Sequence, residues 1–206
     1  MSLADTEPPV FSVPRLSPTD RLVGTVPLFL RRAADGGSPR LQTALRVGLR
    51  DGALAVRFDG RDDGFVATKT RHDDQLLLED VYEVFLAPAD PPHVYYEFEV
   101  NPLGTRFDAR IDSPRLTRPT ICVDVAWGCP GFRVRVRRAP ARWSASLSIP
   151  LAPMAGSGPF PRRWRANFFR VDRGAVDEYS AWSPLFRDPP DFHDARRFGT
   201  LVLPGN

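Results

Sequence analysis

Asp80-Val-Tyr-Glu-Val-Phe-Leu86, a proline-rich loop, and Tyr95-Tyr-Glu-Phe-Glu-Val-Asn-Pro-Leu-Gly104 read as the two strands of a β-hairpin. Side chains in a strand change faces at every residue. Tyr82, Val84 and Leu86 therefore share one face with Tyr96, Phe98 and Val100, and the opposite face carries Glu83, Glu97 and Glu99 together with Phe85 and Tyr95. The apolar rows call for a core. Ionised carboxylates are costly to bury unpaired. The three glutamates are thus expected on a solvated face or in a polar cleft with cationic or hydrogen-bonding partners. Arg106, Asp108 and Arg110 alternate on the next strand and are expected opposite them.

Working outward, the same short-period pattern recurs. Strands are expected over Val23–Leu30, Thr43–Leu49, Ala53–Asp59, Thr105–Ile111, Thr120–Ala126 and Phe132–Arg138. Four more follow, over Trp143–Ile149, Arg163–Val171, Glu178–Trp182 and Phe198–Leu203. Twenty-two prolines and fifteen glycines punctuate the chain, and no interval holds a 3.6-residue apolar repeat. An all-β fold follows, an antiparallel two-sheet β-sandwich of jelly-roll or immunoglobulin-like type. At 206 residues one domain is expected over 23–206, with 1–22 as an extended N-terminal lead-in.

Net charge is +3, because 28 basic residues, all but Lys69 arginine, are nearly balanced by 25 acids spread along the chain. That is not the footprint of a nucleic-acid binder. The densest basic run, Phe132-Arg-Val-Arg-Val-Arg-Arg138, alternates with apolar residues and reads as a strand with a solvated face rather than a phosphate-binding one. No run of about 18 apolar residues occurs, so no membrane partner is expected. The first nine residues lack the basic and apolar regions of a secretory signal. A periplasmic or extracellular location is consistent with a signal that has been removed. Cys122 and Cys129 are too few for a zinc site and are expected as free thiols.

Several segments, taken in order, carry a family likeness: Leu54-Ala-Val-Arg-Phe-Asp59, Arg71-His-Asp-Asp74, the two hairpin strands, Trp143-Ser-Ala-Ser-Leu-Ser-Ile-Pro150, Trp164-Arg-Ala-Asn-Phe-Phe-Arg170, Tyr179-Ser-Ala-Trp-Ser-Pro184 and Asp191-Phe-His193 through Phe198-Gly199. Together they resemble the family 9 carbohydrate-binding modules over about residues 40 to 203. The resemblance implies a β-sandwich related to the sugar- and haem-binding DOMON domains, a sugar chain end held between two tryptophans, and calcium ions as structural supports. It sets Glu83 at a sugar-contacting position and Trp182 at the C-terminal stacking tryptophan. The other stacking tryptophan falls near Leu77, which has no flat ring to offer.

Non-catalytic carbohydrate binding is the function expected from this. The candidate surface is Glu83, Glu97, Glu99, Arg106, Asn167, Arg170 and Trp182. A sugar presents an apolar C–H face and a rim of hydroxyls, which suits an aromatic plane beside charged hydrogen-bonding groups. Asp59, Asp62 and Asp63 offer hard oxygen ligands of the kind calcium takes, although acidic turns more often bond their own backbone. Two alternatives stand beside this reading. One is a glycoside-active enzyme using carboxylates of the same face. The other is a haem-binding electron-transfer domain, which would need Met154 to meet His72, His93, His193 or Lys69. Trp143 and Trp164 are expected in the core with their indole N–H groups paired.

Overall fold

In a computed structural model, which describes residues 6–174 and 176–205, the chain folds as two β-sheets packed face to face. Strand accounts for 42 % of the chain and helix for 6 %. The larger sheet runs β1 (Val10–Ser12), β14 (Gly199–Val202), β12 (Arg163–Asp172), β6 (Val81–Ala87), β7 (Val94–Val100), β8 (Arg106–Asp112) and β9 (Cys122–Asp124). Two further strands, β13 (Glu178–Ala181) and β3 (Arg31–Arg32), continue it from β12. The smaller sheet runs β10 (Arg133–Ala139), β11 (Arg142–Pro150), β5 (Ala53–Arg61), β4 (Thr43–Arg50) and β2 (Leu28–Phe29). Pairing between these strands is antiparallel, except that β1 lies parallel to β14.

The expected strands recur with their ends moved by a residue or two. The clear departure is Val23–Leu30, where a 3-10 turn at Leu22–Gly24 precedes a two-residue strand. The N-terminal stretch is drawn into the fold, with Val13 and Leu16 buried. Leu16 lies over Gly48, where a Cβ would collide with its side chain. Cys122 is exposed, Cys129 is buried, and both are free. Among the described residues no helix is long and apolar enough to cross a membrane.

Between the sheets lies an aromatic-rich core. Tyr82 stacks on Phe58 at 4.6 Å and on Trp143 at 3.9 Å between ring centroids, and Phe168 meets Trp182 edge-on at 5.6 Å. Trp164 donates its indole N–H to the Pro161 carbonyl at 2.9 Å. The Trp143 indole nitrogen is buried without a partner, contrary to expectation. One cation crosses the interior: Arg170 on β12, 1 % exposed, donates to the Arg61 carbonyl at 2.6 Å, Thr43 Oγ1 at 3.2 Å and Asp62 Oδ2 at 3.0 Å. It ties the larger sheet to β4 and β5.

The larger sheet is covered on its outer face too. Phe85, Tyr95, Ala109, Ile111, Phe169 and Ala181 form a second cluster there, capped by Leu185, Ala195 and Phe198. Because β6, β7 and β12 are buried on both faces, they read as nearly continuous burial rather than alternation.

Gly199 is pinned on the inner side: a Cβ there would overlap the Trp182 ring and the Pro9 carbonyl oxygen. Gly199→Ala is therefore expected to destabilise the fold by about 1–3 kcal/mol, measured as a shift in the urea midpoint at unchanged slope. An unshifted midpoint would contradict the packing.

Candidate functional site

Register gathers the three glutamates. Glu83 on β6 sits directly across from Glu99 on β7, and Glu97 lies two residues along the same face. All three are buried, at 2, 6 and 2 % exposure, and one carboxylate oxygen from each lies within 4.8 Å of the others. Across β7 the facing residues on β8 are Phe107 and Ala109, so the predicted row of Arg106, Asp108 and Arg110 points to the other side of the sheet. None of the three acids forms an ion pair among the described residues, and Glu99 Oε2 has no hydrogen-bond partner.

Burial therefore dominates their chemistry. It raises Glu83 well above the ordinary carboxylate range, with the Glu97 charge adding to the effect and Arg173 opposing it. Burial also raises Glu99, helped by its two neighbours. Glu97 is pushed up to about 7 by burial, against the hydrogen bond from Glu99 and the charge of Arg118. Near neutral pH the cluster consequently holds protons, and its carboxyl groups can both donate and accept hydrogen bonds.

Above the cluster is a pocket of about 400 Å³ whose floor includes Glu83 and Glu97. Leu77, Tyr179, Phe192 and the Pro189–Pro190 pair form its walls, with Arg118, Arg173 and Arg187 among them. Phe192 stacks flat on Phe169 at 4.1 Å and meets Tyr179 edge-on. Arg173 donates to Tyr179 Oη at 2.6 Å and to the Leu77 carbonyl at 2.9 Å, which joins the two sides of the opening. Arg118 is held by Asp191 at 3.2 Å. His193 shares a 2.7 Å hydrogen bond with Tyr95 Oη, and burial holds its ring down to about 4, so it is neutral at pH 7. The loop bearing Leu77 is fixed by buried acids. Glu79 accepts from the Thr68 and Lys69 amides at 2.7 and 3.1 Å, and Asp80 accepts from the Val66 and Arg173 amides at 2.8 and 2.7 Å.

The other candidate residues lie elsewhere. Trp182, expected as an exposed platform, is 7 % exposed in the core between the sheets. The physical reason is parity: Ala181 pairs with Phe169 on the outer face, so its neighbour must turn inward over Gly199. Arg170 likewise points inward, as the cation that joins the sheets. Arg106 donates to the Phe132 carbonyl at 2.6 Å and lies over the Phe132 ring, away from the glutamates. Asn167 shares their face but clasps Ser183, bonding its amide and carbonyl at 2.9 Å each. Tyr179, Phe192, Arg118 and Arg173 were not among the expected site residues, and His193 was named only as a candidate haem ligand. Tyr179 and the Asp191-Phe-His193 run were signalled by the family likeness.

The acidic turn also divides. Asp59 is paired with Arg57 at 3.1 Å and Arg142 at 2.8 Å, and Asp63 with Arg40 at 2.5 Å. Only Asp62 joins a cluster, with Asp80 and Asp172, one oxygen from each within 4.8 Å of the others. Asp172 Oδ1 is buried without a partner, and burial pushes that carboxyl up to about 6. A second group, His72, Asp73 and Asp108, is more exposed, and there His72 Nε2 is bonded to Asp108 at 2.9 Å. Met154 packs in the core between the sheets while His193 belongs to the outer face, so this pair does not meet around a haem.

Comparison with known proteins bears on this geometry. The family model described as carbohydrate-binding family 9 matches residues 37–203. Among solved structures, a candidate carbohydrate-binding protein from Bacteroides uniformis ATCC 8492 superposes with a TM-score of 0.74 at 16 % identity, covering 96 % of this chain and all of the other. A family 9 module from Caldicellulosiruptor kristjanssonii, solved with cellotriose, superposes with a TM-score of 0.68 at 13 % identity, over 96 % of this chain and 94 % of the module. Its glucose complex gives 0.63 at 14 % identity. An extracellular protein of Arthroderma benhamiae is 25 % identical over 144 residues, which is 65 % of this chain and 64 % of that protein. The chain therefore spans under two thirds of that relative's length. With about four fifths of its sequence matched by the family model and the β-sandwich in place, the chain belongs to carbohydrate-binding family 9.

Proposed function

We propose that the protein binds carbohydrate without turnover, in the pocket above Glu83 and Glu97. The observation that carries this reading is the pairing of a proton-sharing carboxyl floor with apolar walls in one cavity of about 400 Å³. Sugar hydroxyls need partners that both donate and accept, and sugar C–H faces need Tyr179, Phe192 or Leu77 beside them. Glucose- and cellotriose-bound relatives of the same fold support neutral glucans as the first ligands to try. Acids this tightly clustered share protons, whereas a glycosidase keeps a distinct acid and a distinct base or nucleophile about 5–9.5 Å apart across the scissile bond.

Calcium, implied by the family likeness, fits the Asp62, Asp80 and Asp172 trio better than the acidic turn itself. The trio offers three hard oxygen donors and the open Asp172 Oδ1. When bound there, the ion would neutralise acids that Arg170 offsets only in part, and would brace the 62–66 and 172–174 segments.

Titration calorimetry with glucose, cellotriose and longer glucans tests the sugar reading. Phe192→Ala and Glu83→Gln are expected to weaken binding by about tenfold or more, equivalent to about 1.4 kcal/mol. Trp182→Ala is expected to cost about 3–5 kcal/mol of stability while leaving the affinity of the folded fraction unchanged. Binding abolished by Trp182→Ala alone, with Phe192→Ala silent, would place the sugar elsewhere.

Glu97 sets a pH dependence of stability. Its folded-state pKa of about 7 lies above the ordinary carboxyl value of 4.5, so the native state binds more protons than the unfolded chain between these values. Stability should be full below about 4.5 and decline as pH rises through 7. Urea midpoints across this range should fall for the wild type and fall less for Glu97→Gln. Calcium should raise the melting temperature of the wild type and leave that of Asp172→Asn unmoved, as read by calorimetry with and without chelator.

A further inference from the structure

On the far side of the molecule, the outer face of the smaller sheet forms a groove of about 850 Å³. One bank is the edge strand β10, whose Arg133, Arg135 and Arg137 are exposed and point the same way, about 7 Å apart along the strand. Across from them on β11 stand Ser148, Ser146 and Ser144, in the same order. Ser146 in turn faces Arg57 on β5, which donates to its hydroxyl at 3.2 Å. The other bank is Arg50 with the Leu22–Gly24 turn.

The charge in this groove is one-sided. Six arginines line it against two aspartates, Asp20 and Asp51. Asp20 already accepts from the Ser17 amide at 2.6 Å, and the Asp59 carboxylate beneath is taken by Arg57 and Arg142. Arg133, Arg135 and Arg137 form no ion pair among the described residues. A row of forked, permanently charged donors matches a row of carboxylates or sulfate esters, and one isolated anion would use a single fork. The serine row between the banks offers hydroxyls that donate and accept, as a sugar backbone requires. Among the described residues no aromatic side chain lines the groove, so nucleic-acid bases would find no stacking platform there.

We propose that this groove is a second glycan-binding site, one that takes an acidic polysaccharide by seating its carboxylate or sulfate groups on Arg133, Arg135 and Arg137. It shares no residue with the glutamate pocket, and the two sheets separate them. A strand with one solvated face is the sequence-based expectation for this run; the groove and its unpaired row of cations give that charge a ligand.

Affinity electrophoresis and calorimetry of the full chain test the proposal, with polygalacturonate, dextran sulfate, neutral dextran and a duplex DNA as probes. Polygalacturonate or dextran sulfate should bind, with affinity falling steeply as salt is raised, and neutral dextran should not. The combined Arg133→Ser, Arg135→Ser and Arg137→Ser variant should lose about tenfold or more in affinity, since it removes the whole row of forked donors. A charge-matched control, Arg71→Ser with Arg115→Ser and Arg163→Ser, should retain it. Ser146→Trp, which fills the groove without altering charge, should also lose it, and all variants should keep the wild-type circular dichroism spectrum. The better of the two anionic probes identifies the anion. Equal loss in both arginine triples would reduce the effect to net charge and overturn the proposal. So would an unaffected groove triple, or DNA bound more tightly than either polysaccharide.

Discussion

A strand has two faces and changes between them at every residue, and in this molecule the central strands β6, β7 and β12 are buried on both. The candidate site on the larger sheet follows from that constraint. Tyr82, Val84, Phe98 and Phe168 must fill the space between the sheets, and Glu83, Glu97, Glu99 and Phe169 are thereby committed to the outer side. A shift of one residue in any of these pairings would send the carboxylates into the aromatic core. The core between the sheets thus fixes the pocket floor from the opposite side of the larger sheet.

The same sheet handles charge in opposite ways on its two sides. On the inner side, Arg170 is enclosed and engaged through both terminal guanidinium nitrogens, with carbonyl, hydroxyl and carboxylate partners from β4, β5 and the turn after β5. Removing one partner of such a buried pair costs more than the pair contributes. On the outer side, the glutamates have one another and little else, so protons stand in for cations. The first arrangement stabilises the sandwich. The second is a cost to the fold above pH 7, and a polar floor left short of partners is what a hydroxyl-rich ligand can satisfy.

The fold was legible in the sequence because period-two patterning is a local signal: ten of the twelve anticipated strands are found in full or nearly so. The glutamate cluster was legible too, because both of its strands belong to one hairpin whose faces can be counted. What could not be read were placements that depend on register between distant segments. Arg106, Asp108 and Arg110 needed the β7–β8 register. Trp182 needed the pairing of Ala181 with Phe169, for Trp182-Ser-Pro184 alone resembles an exposed loop. The acid cluster of Asp62, Asp80 and Asp172 draws on three segments more than a hundred residues apart at the extremes, and chain neighbours such as Asp59 and Asp63 gave no hint that they would turn to arginines instead.

The parallel seam between β1 and β14 has a mechanical meaning. Val10, Phe11 and Ser12 run alongside Thr200, Leu201 and Val202 in the same direction, flanked by bonds from the Thr200 amide to the Pro9 carbonyl and from the Val13 amide to the Val202 carbonyl. Tension applied through the two ends of the chain would drag these strands past each other, so the backbone bonds would be loaded in shear and have to yield together. Antiparallel neighbours pulled from adjoining ends would instead unzip one bond at a time. Force applied through the ends would therefore be shared across the whole seam instead of falling on one bond at a time.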